Sequence, residues 1–193
     1  YRTYWLHIGD NFIYLLLPSF LLILILFSSN FGNLDLNIRP FLISLLFPIS
    51  KIIFIPLSII ITPFSTFFTW LTLNTFGFFS TMNGQEIYYK SPGIDVTFSC
   101  SGSGQIIFCL SAMLILHICF PLNGRQLFMI QLSRAFLFTF SANIVRLFLL
   151  AIYSYTFDAE GFSIFRYLHG GDGGLFFSFF SMLLSCESYK RLY

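Results

Sequence analysis

The sequence predicts an all-α integral membrane protein, a polytopic bundle of about six transmembrane helices, each needing roughly 20 apolar residues to cross the hydrocarbon layer. Three observations carry this. Of 193 residues, 56% are hydrophobic and 9% charged, with 28 phenylalanines, so a soluble fold would lack the polar surface to cover itself. The apolar residues fall into long runs, and no polar interval is long enough to serve as an interdomain linker, so residues 1–193 read as one transmembrane domain. Arg146, with Asn143 one helical turn before it, lies inside the apolar run Phe136 to Ile152. A cation there costs roughly 2.5 to 3.5 kcal/mol on insertion scales, which marks a site or a buried pair.

The first run, about Phe12 to Phe27, is close to crossing length and lacks the charged prefix and small-residue cleavage pattern of a signal peptide. It is expected to be a transmembrane helix of the mature chain. The second, Pro40 to Ile61, contains Pro48, Lys51 and Pro56, which predicts a kinked helix with Lys51 paired, facing the bundle or snorkelling. Thr62-Pro63 is expected to turn the chain into a third helix, Phe64 to Phe79. Residues 80–99 collect Glu86, Lys90, Pro92, Gly93 and Asp95, and Ile94 to Phe98 alternates briefly. This interval is expected to be an extended connection or lid, extracytoplasmic or interfacial. A fourth helix is expected from Ser101 or Ser103 to Phe120, and a fifth from about Leu127 to Tyr153. The sixth is placed at Gly173 to Leu184, with Asp158 and Glu160 before it in a solvated loop.

Six crossings put both termini on one side, together with Arg2, Arg125, Arg134, Lys190 and Arg191, and this bias favours cytoplasmic termini. Cys100, the outer third of the Arg146 helix and His169 then share the extracytoplasmic side. The net charge of +2 and its dispersed cations exclude a nucleic-acid partner, and the expected surroundings are the lipid bilayer.

Cys100 begins the polar run Cys100-Ser101-Gly102-Ser103-Gly104, and a helix starting at Ser101 would favour its thiolate. His169, before the glycine-rich Gly170 to Gly174, can take or shuttle a proton. Arg146 has a fixed guanidinium fork suited to a carbonyl or to charge developing on an oxyanion. Asn143 can orient that fork or offer its amide to a peptide backbone. Together these groups permit covalent acyl transfer. Two other readings remain open. Arg146 pairing with Glu86, Asp95 or Asp158 would describe a noncatalytic subunit of a larger membrane complex, and a proton- or quinone-linked module is a third class, weakened by the lack of a mid-membrane carboxylate. Cys109, Cys119 and Cys186 read as small membrane-embedded filler, and without a CxxC pair the cysteines indicate neither zinc nor a disulfide framework. His117 reads as a packing or interface residue, and with His7 fixes no facing pair for haem. No HExxH, GxGxxG, phosphate loop or nucleophile elbow occurs, so no metal or cofactor is expected.

Cys100-Ser101-Gly102 at a helix start, Ala142-Asn143-Ile144-Val145-Arg146 within the next helix, and His169 before the last resemble, in order and placement, the exosortase and archaeosortase family of integral-membrane transpeptidases. The resemblance covers about Ile94 to Leu184, residues 94–184. It implies a prokaryotic inner or plasma membrane and cleavage of a C-terminal sorting region on an exported, membrane-tethered protein, with acyl transfer to an unidentified acceptor. It also implies that Cys100 forms a thioester, His169 handles protons and Arg146 stabilises or positions the peptide, with Asn143, Ser101 and Gly102 in support. The chain departs from the family by its compactness and by Gly170-Gly171, where a polar residue often follows the histidine.

Overall fold

A computed structural model describes residues 18–20, 34–89, 93–97, 100–154 and 159–193. Apart from a helical stretch at 18–20, the expected first span, Phe12 to Phe27, lies outside the described residues. The elements in chain order are α1 (Leu34–Thr75), β1 (Thr81–Asn83), β2 (Glu86–Tyr88), β3 (Ile94–Asp95), α2 (Ser103–Cys119), α3 (Arg125–Tyr153), α4 (Ala159–His169) and α5 (Gly171–Lys190).

Helix α1 corrects the expected turn at Thr62-Pro63. Its 42 residues run without a break through Pro40, Pro48, Pro56 and Pro63, a length of roughly 63 Å at 1.5 Å per residue. The spans Pro40 to Ile61 and Phe64 to Phe79 are therefore one helix, ending at Thr75. Proline removes one ladder bond, but in hydrocarbon an open turn would leave several backbone groups unpaired, and nearby hydroxyls can restore bonds to the helix. The Ser58 hydroxyl donates to the Phe54 carbonyl, Thr62 Oγ1 to the Ser58 carbonyl at 2.6 Å and Thr66 Oγ1 to the Thr62 carbonyl at 2.9 Å, so three side chains add bonds to the turns around Pro56 and Pro63, although none reaches the Ile52 or Ile59 carbonyl that each proline frees. With two expected crossings merged, the placement of both termini on one side loses its basis. The helix stops at a Schellman motif. Gly77, at φ 80°, sends its N–H to the Asn74 carbonyl at 3.1 Å, and Phe78 N–H reaches the Leu73 carbonyl at 2.9 Å.

The interval expected to be an extended connection is a three-stranded antiparallel sheet in the order β1-β2-β3, so the protein is largely rather than wholly helical. Asn83 pairs with Glu86 across a two-residue turn led by Gly84 at φ 62°, the positive φ that tight hairpins need. Alternation turns Ile87 inward, and Val96, just past β3, follows it. Both are fully buried, in one cluster with Leu73, Leu147, Leu150, Ala151 and Cys100. The sheet thereby ties the end of α1 to α3 and delivers the chain to Cys100.

Helix α3 matches its expected extent. Its buried residues include Gln131, Ala135, Thr139, Asn143, Leu147 and Ala151, one row at a spacing of four that faces the centre of the bundle. Half of that row is polar. Gln131 is fully buried and donates to the Ser185 carbonyl on α5 at 2.7 Å, while Ser188 Oγ donates to its Oε1 at 3.0 Å. Large apolar side chains point the other way: Ile52 and Ile59 on α1, Leu137 and Val145 on α3, and Phe176 and Phe180 on α5 are all exposed. Polar groups inside and apolar groups outside invert the arrangement of a soluble domain. They suit a hydrocarbon solvent, where interhelical hydrogen bonds have no competing water. Arg39–Thr75 and Arg125–Tyr153 are each long and apolar enough to cross a membrane, and the 17-residue α2 is a shorter apolar helix. The chain is an integral membrane protein.

The segment expected as a solvated loop around Glu160 is helical from Ala159, and Asp158 lies outside the described residues. Phe165 and Leu168, three apart, give α4 an apolar stripe that packs into the cluster of α3 and α5. Helix α5 begins two residues before the expected Gly173 and continues six beyond Leu184, to Lys190, about 30 Å in all. The sheet and the turn at 120–124 lie at opposite ends of α2. With Cys119 replaced by serine, cysteines introduced at Met82 and Asn123 should label with an impermeant maleimide from opposite membrane faces. Labelling of both from one face would show that α2 does not cross.

Candidate functional site

Three elements hold the turn that carries Cys100. Its N–H closes on the Thr97 carbonyl at 2.9 Å. The Ser101 carbonyl accepts from Ser65 Oγ of α1 at 2.7 Å and from Asn143 Nδ2 of α3 at 2.9 Å, and that same amide lies 3.3 Å from the Cys100 carbonyl. Two buried carbonyls that a helix cannot use are thus paired by side chains. Gly102 follows in the left-handed region, at φ 86°, and serves as N-cap of α2. A Cβ there would come within 2.5 Å of Asn143 Cγ, so both conformation and space demand glycine. Ser101 and Ser103 extend the seam, their hydroxyls 3.1 Å apart, with Ser103 Oγ 3.0 Å from Ser58 Oγ. Ser101 is therefore a structural member of the turn. Helix α2 starts at Ser103, the second of the two expected starts. Cys100 stands two residues outside the N-cap rather than directly before the helix, where a start at Ser101 would have put it.

Arg146 comes from the same helix as Asn143, three residues on, and is 5% exposed. Its guanidinium adjoins the Cys100 side chain, which places a cation beside the sulfur. Neither Glu86 nor Asp95 pairs with it; among the described residues the salt bridge found is Arg191 with Glu187. Arg146 Nε is buried and has no hydrogen-bond partner among the described residues. Asn143, one of the two roles expected of it being to orient this guanidinium, instead spends its Nδ2 on the backbone of the Cys100 turn.

Arg146 also lines a cavity of about 590 Å³ between α2, α3, α4 and α5, with Gly102, Gln105, His169, Gly174 and Ser178 among its walls. His169 closes α4, exposed to this space, its ring stacked on Phe165 with centroids 5.6 Å apart. The glycine-rich segment is an elbow between two helices with almost no loop. A Cβ on Gly173 would lie 2.5 Å from the Tyr167 carbonyl oxygen, so glycine permits α5 to start against the end of α4 and sets His169 at the cavity rim. Cys100 is buried and does not line the cavity, while Asn143 is fully buried against the turn. Arg146 is the residue that both neighbours Cys100 and lines the open space. Structure thus brings Cys100, Asn143 and Gly102 into one contact group and Arg146, His169 and Gly102 around one cavity.

Sequence reasoning missed Gln105. It is 8% exposed, lines the cavity and donates from Nε2 to the Gly174 carbonyl at 3.1 Å. The signal was present, since an amide one turn into an apolar helix is the same anomaly that marks Asn143 and Arg146. His117 is a packing residue at the far end of α2. It stacks on Phe128 at 3.9 Å, and its Nδ1 accepts from Leu122 N–H at 3.2 Å beside the Tyr189 hydroxyl.

Arg146 is thus a buried cation near a thiol that lines, together with a histidine, a cavity among the apolar helices of a membrane protein. The chain belongs to the transmembrane exosortase family, whose model matches residues 3–186. That match extends well before Ile94, where the resemblance read from short motifs begins, and so includes α1 and the sheet. The family is a group of membrane proteins linked to the processing of sorting signals. No curated protein and no solved structure gave a match.

Gly102→Ala should lower stability by roughly 2 to 4 kcal/mol, from left-handed strain and the collision with Asn143. Asn143→Ala should cost about 1 to 3 kcal/mol by removing the amide from the Cys100 carbonyl and leaving the Ser101 carbonyl with Ser65 alone. The two costs should not simply add, because removing the Asn143 amide takes away the two atoms nearest a Cβ at 102 and leaves the Cβ of residue 143 at 2.9 Å. Thermal unfolding of the four forms in detergent measures this, and strict additivity would show that the two residues are not in contact.

Proposed function

We propose that the protein is a cysteine transpeptidase or protease that cleaves a C-terminal sorting signal on an exported, membrane-tethered protein and passes the acyl group to an acceptor nucleophile or water. The observation that carries this is the placement of Arg146, whose buried guanidinium adjoins Cys100 and lines the cavity shared with His169. A structural arginine would be sealed against a carboxylate; of the three expected partners Glu86 and Asp95 do not supply one, and Asp158 lies outside the described residues. Family membership supports the same reading.

In this scheme the Cys100 sulfur attacks the scissile carbonyl, a C–S bond forms and the thiol proton passes to His169. Arg146 opposes the negative charge on the carbonyl oxygen of the tetrahedral intermediate. The C–N bond then breaks, His169 returns the proton to the departing amine, and a thioester remains on Cys100. Attack by the acceptor releases the sulfur and completes transfer. Cys100 is buried beneath Arg146, so entry of the peptide carbonyl between guanidinium and sulfur is the step that opens the nucleophile. Asn143 and Gly102 position the turn, and Ser101 anchors it to α1. The site faces the extracytoplasmic side, opposite the cationic turn at Arg125 and the Lys190-Arg191 end of α5, in a prokaryotic inner or plasma membrane, with the chain acting as one transmembrane domain.

Substrate peptides for a test consist of a randomised polar segment, an apolar helix of roughly 20 residues and a basic tail. Hydroxylamine should release a peptide hydroxamate from the wild-type protein in nanodiscs and none from Cys100→Ala. Arg146→Lys should slow acylation on the order of 100-fold, since a point charge cannot reproduce the fork, and His169→Ala by at least a similar factor. Processing by Cys100→Ala at the wild-type rate would eliminate the thioester mechanism. Absence of acylation in every form would leave this chain a noncatalytic subunit of a larger membrane complex.

A further inference from the structure

Gln105 lies on the cavity wall with its two amide atoms in opposite situations. The Gly174 carbonyl, whose lone pairs face Gln105 Nε2 at 3.1 Å and Ser178 Oγ at 2.7 Å, accepts from both, which fixes Nε2 as the donor end. Gln105 Oε1 is then buried with no partner among the described residues. An acceptor left in this state costs about 1 to 3 kcal/mol, as it does for Thr69 Oγ1 and Asn143 Oδ1, but of these three acceptors Gln105 Oε1 belongs to a residue that lines the cavity. Across the same cavity Arg146 Nε is a buried donor with no partner. Both side chains come within ordinary contact of one point on α5: a Cβ built on Gly174 would lie 3.8 Å from Gln105 Nε2 and 3.6 Å from Arg146 Nη1. One unpaired acceptor and one unpaired donor therefore belong to two side chains that line a single cavity and meet near Gly174. A peptide backbone carries the complementary pair, an N–H and a C=O.

We propose that Gln105 is a substrate-binding residue whose Oε1 accepts a backbone N–H of the sorting-signal peptide, while Arg146 donates to a carbonyl of the same stretch. This deepens the acyl-transfer reading and rests on it. The glutamine's terminal torsion is broad, so the amide can swing Oε1 toward the cavity in exchange for the Nε2 bond, and the Gly174 carbonyl keeps its bond from Ser178 Oγ. Recognition through backbone groups makes the wall tolerant of side-chain identity at this position, and selective for peptide over ester or lipid acyl chains.

The test begins with peptides captured by the wild-type protein as Cys100 acyl species from the randomised library. One is remade with each amide near the cleaved bond replaced singly by an ester, which removes the N–H and keeps the chain's shape. Binding is measured to Cys100→Ala protein in nanodiscs, with and without Gln105→Met. At one position the ester should weaken binding roughly fivefold to tenfold, the worth of one hydrogen bond, and that penalty should vanish when Gln105 is Met. Gln105→Ala serves as the second variant if the methionine form fails to insert. Equal ester penalties with and without Gln105 would overturn the assignment and point instead to Gln105 and Arg146 pairing with each other. Failure to capture any peptide on Cys100 would remove the acyl-transfer reading itself, and this contact with it.

Discussion

The structure depends on the amide of Asn143 reaching across from α3 to two carbonyls of the Cys100 turn. In water such a bond is worth little, because the turn could hydrate itself instead. In a bundle whose outside is hydrocarbon, the Cys100 carbonyl has no such alternative and the Ser101 carbonyl has only Ser65 of α1 besides, so the turn depends on α3 staying in register with it. That one contact dictates the rest of the local architecture. It excludes a side chain at Gly102, sets the first residue of α2, and puts Arg146, one turn further along α3, beside the sulfur.

The same logic explains why the interior is rich in groups that a soluble core would avoid. Ser58, Thr62, Ser65 and Thr66 give α1 a polar face, and α3 answers with Gln131, Thr139 and Asn143. Small hydroxyl side chains allow close approach of helices and pair locally, so most of them serve assembly. Incompleteness alone does not separate the proposed site from this seam, because Thr69 Oγ1 and Asn143 Oδ1 are buried without a partner among the described residues as well. Gln131 has both amide ends paired, whereas Gln105 and Arg146 combine an unpaired atom with a place on the wall of a cavity.

Much of the helical plan could be read from the chain, because run length and hydropathy respond directly to bilayer thickness. Helix α3 and the start and end of α2 fall where expected. The errors share one cause. Thr62-Pro63 looks like a turn by local rules, yet the cost of exposing backbone to hydrocarbon exceeds the loss of one ladder bond, and α1 continues through it. Residues 81–95 form a sheet, and Ala159–His169 a helix, because Ile87, Phe165 and Leu168 find apolar partners on distant parts of the chain. Local patterns cannot show a partner that only folding supplies.

The sequence by itself determined the solvent and the chemical repertoire. Composition demands a bilayer, and a cation in an apolar run, a cysteine among serine and glycine, and a histidine before glycines could be singled out without coordinates, since each is costly or unusual where it stands. Tertiary structure decided how they relate. Only packing shows that Arg146 lies against Cys100, that Asn143 serves the turn rather than the guanidinium, and that Gln105 joins Arg146 and His169 around one cavity. The physical reason is that sequence spacing fixes a residue's direction within one helix, while the distance between helices is set by the shapes and unpaired groups of all the faces that meet.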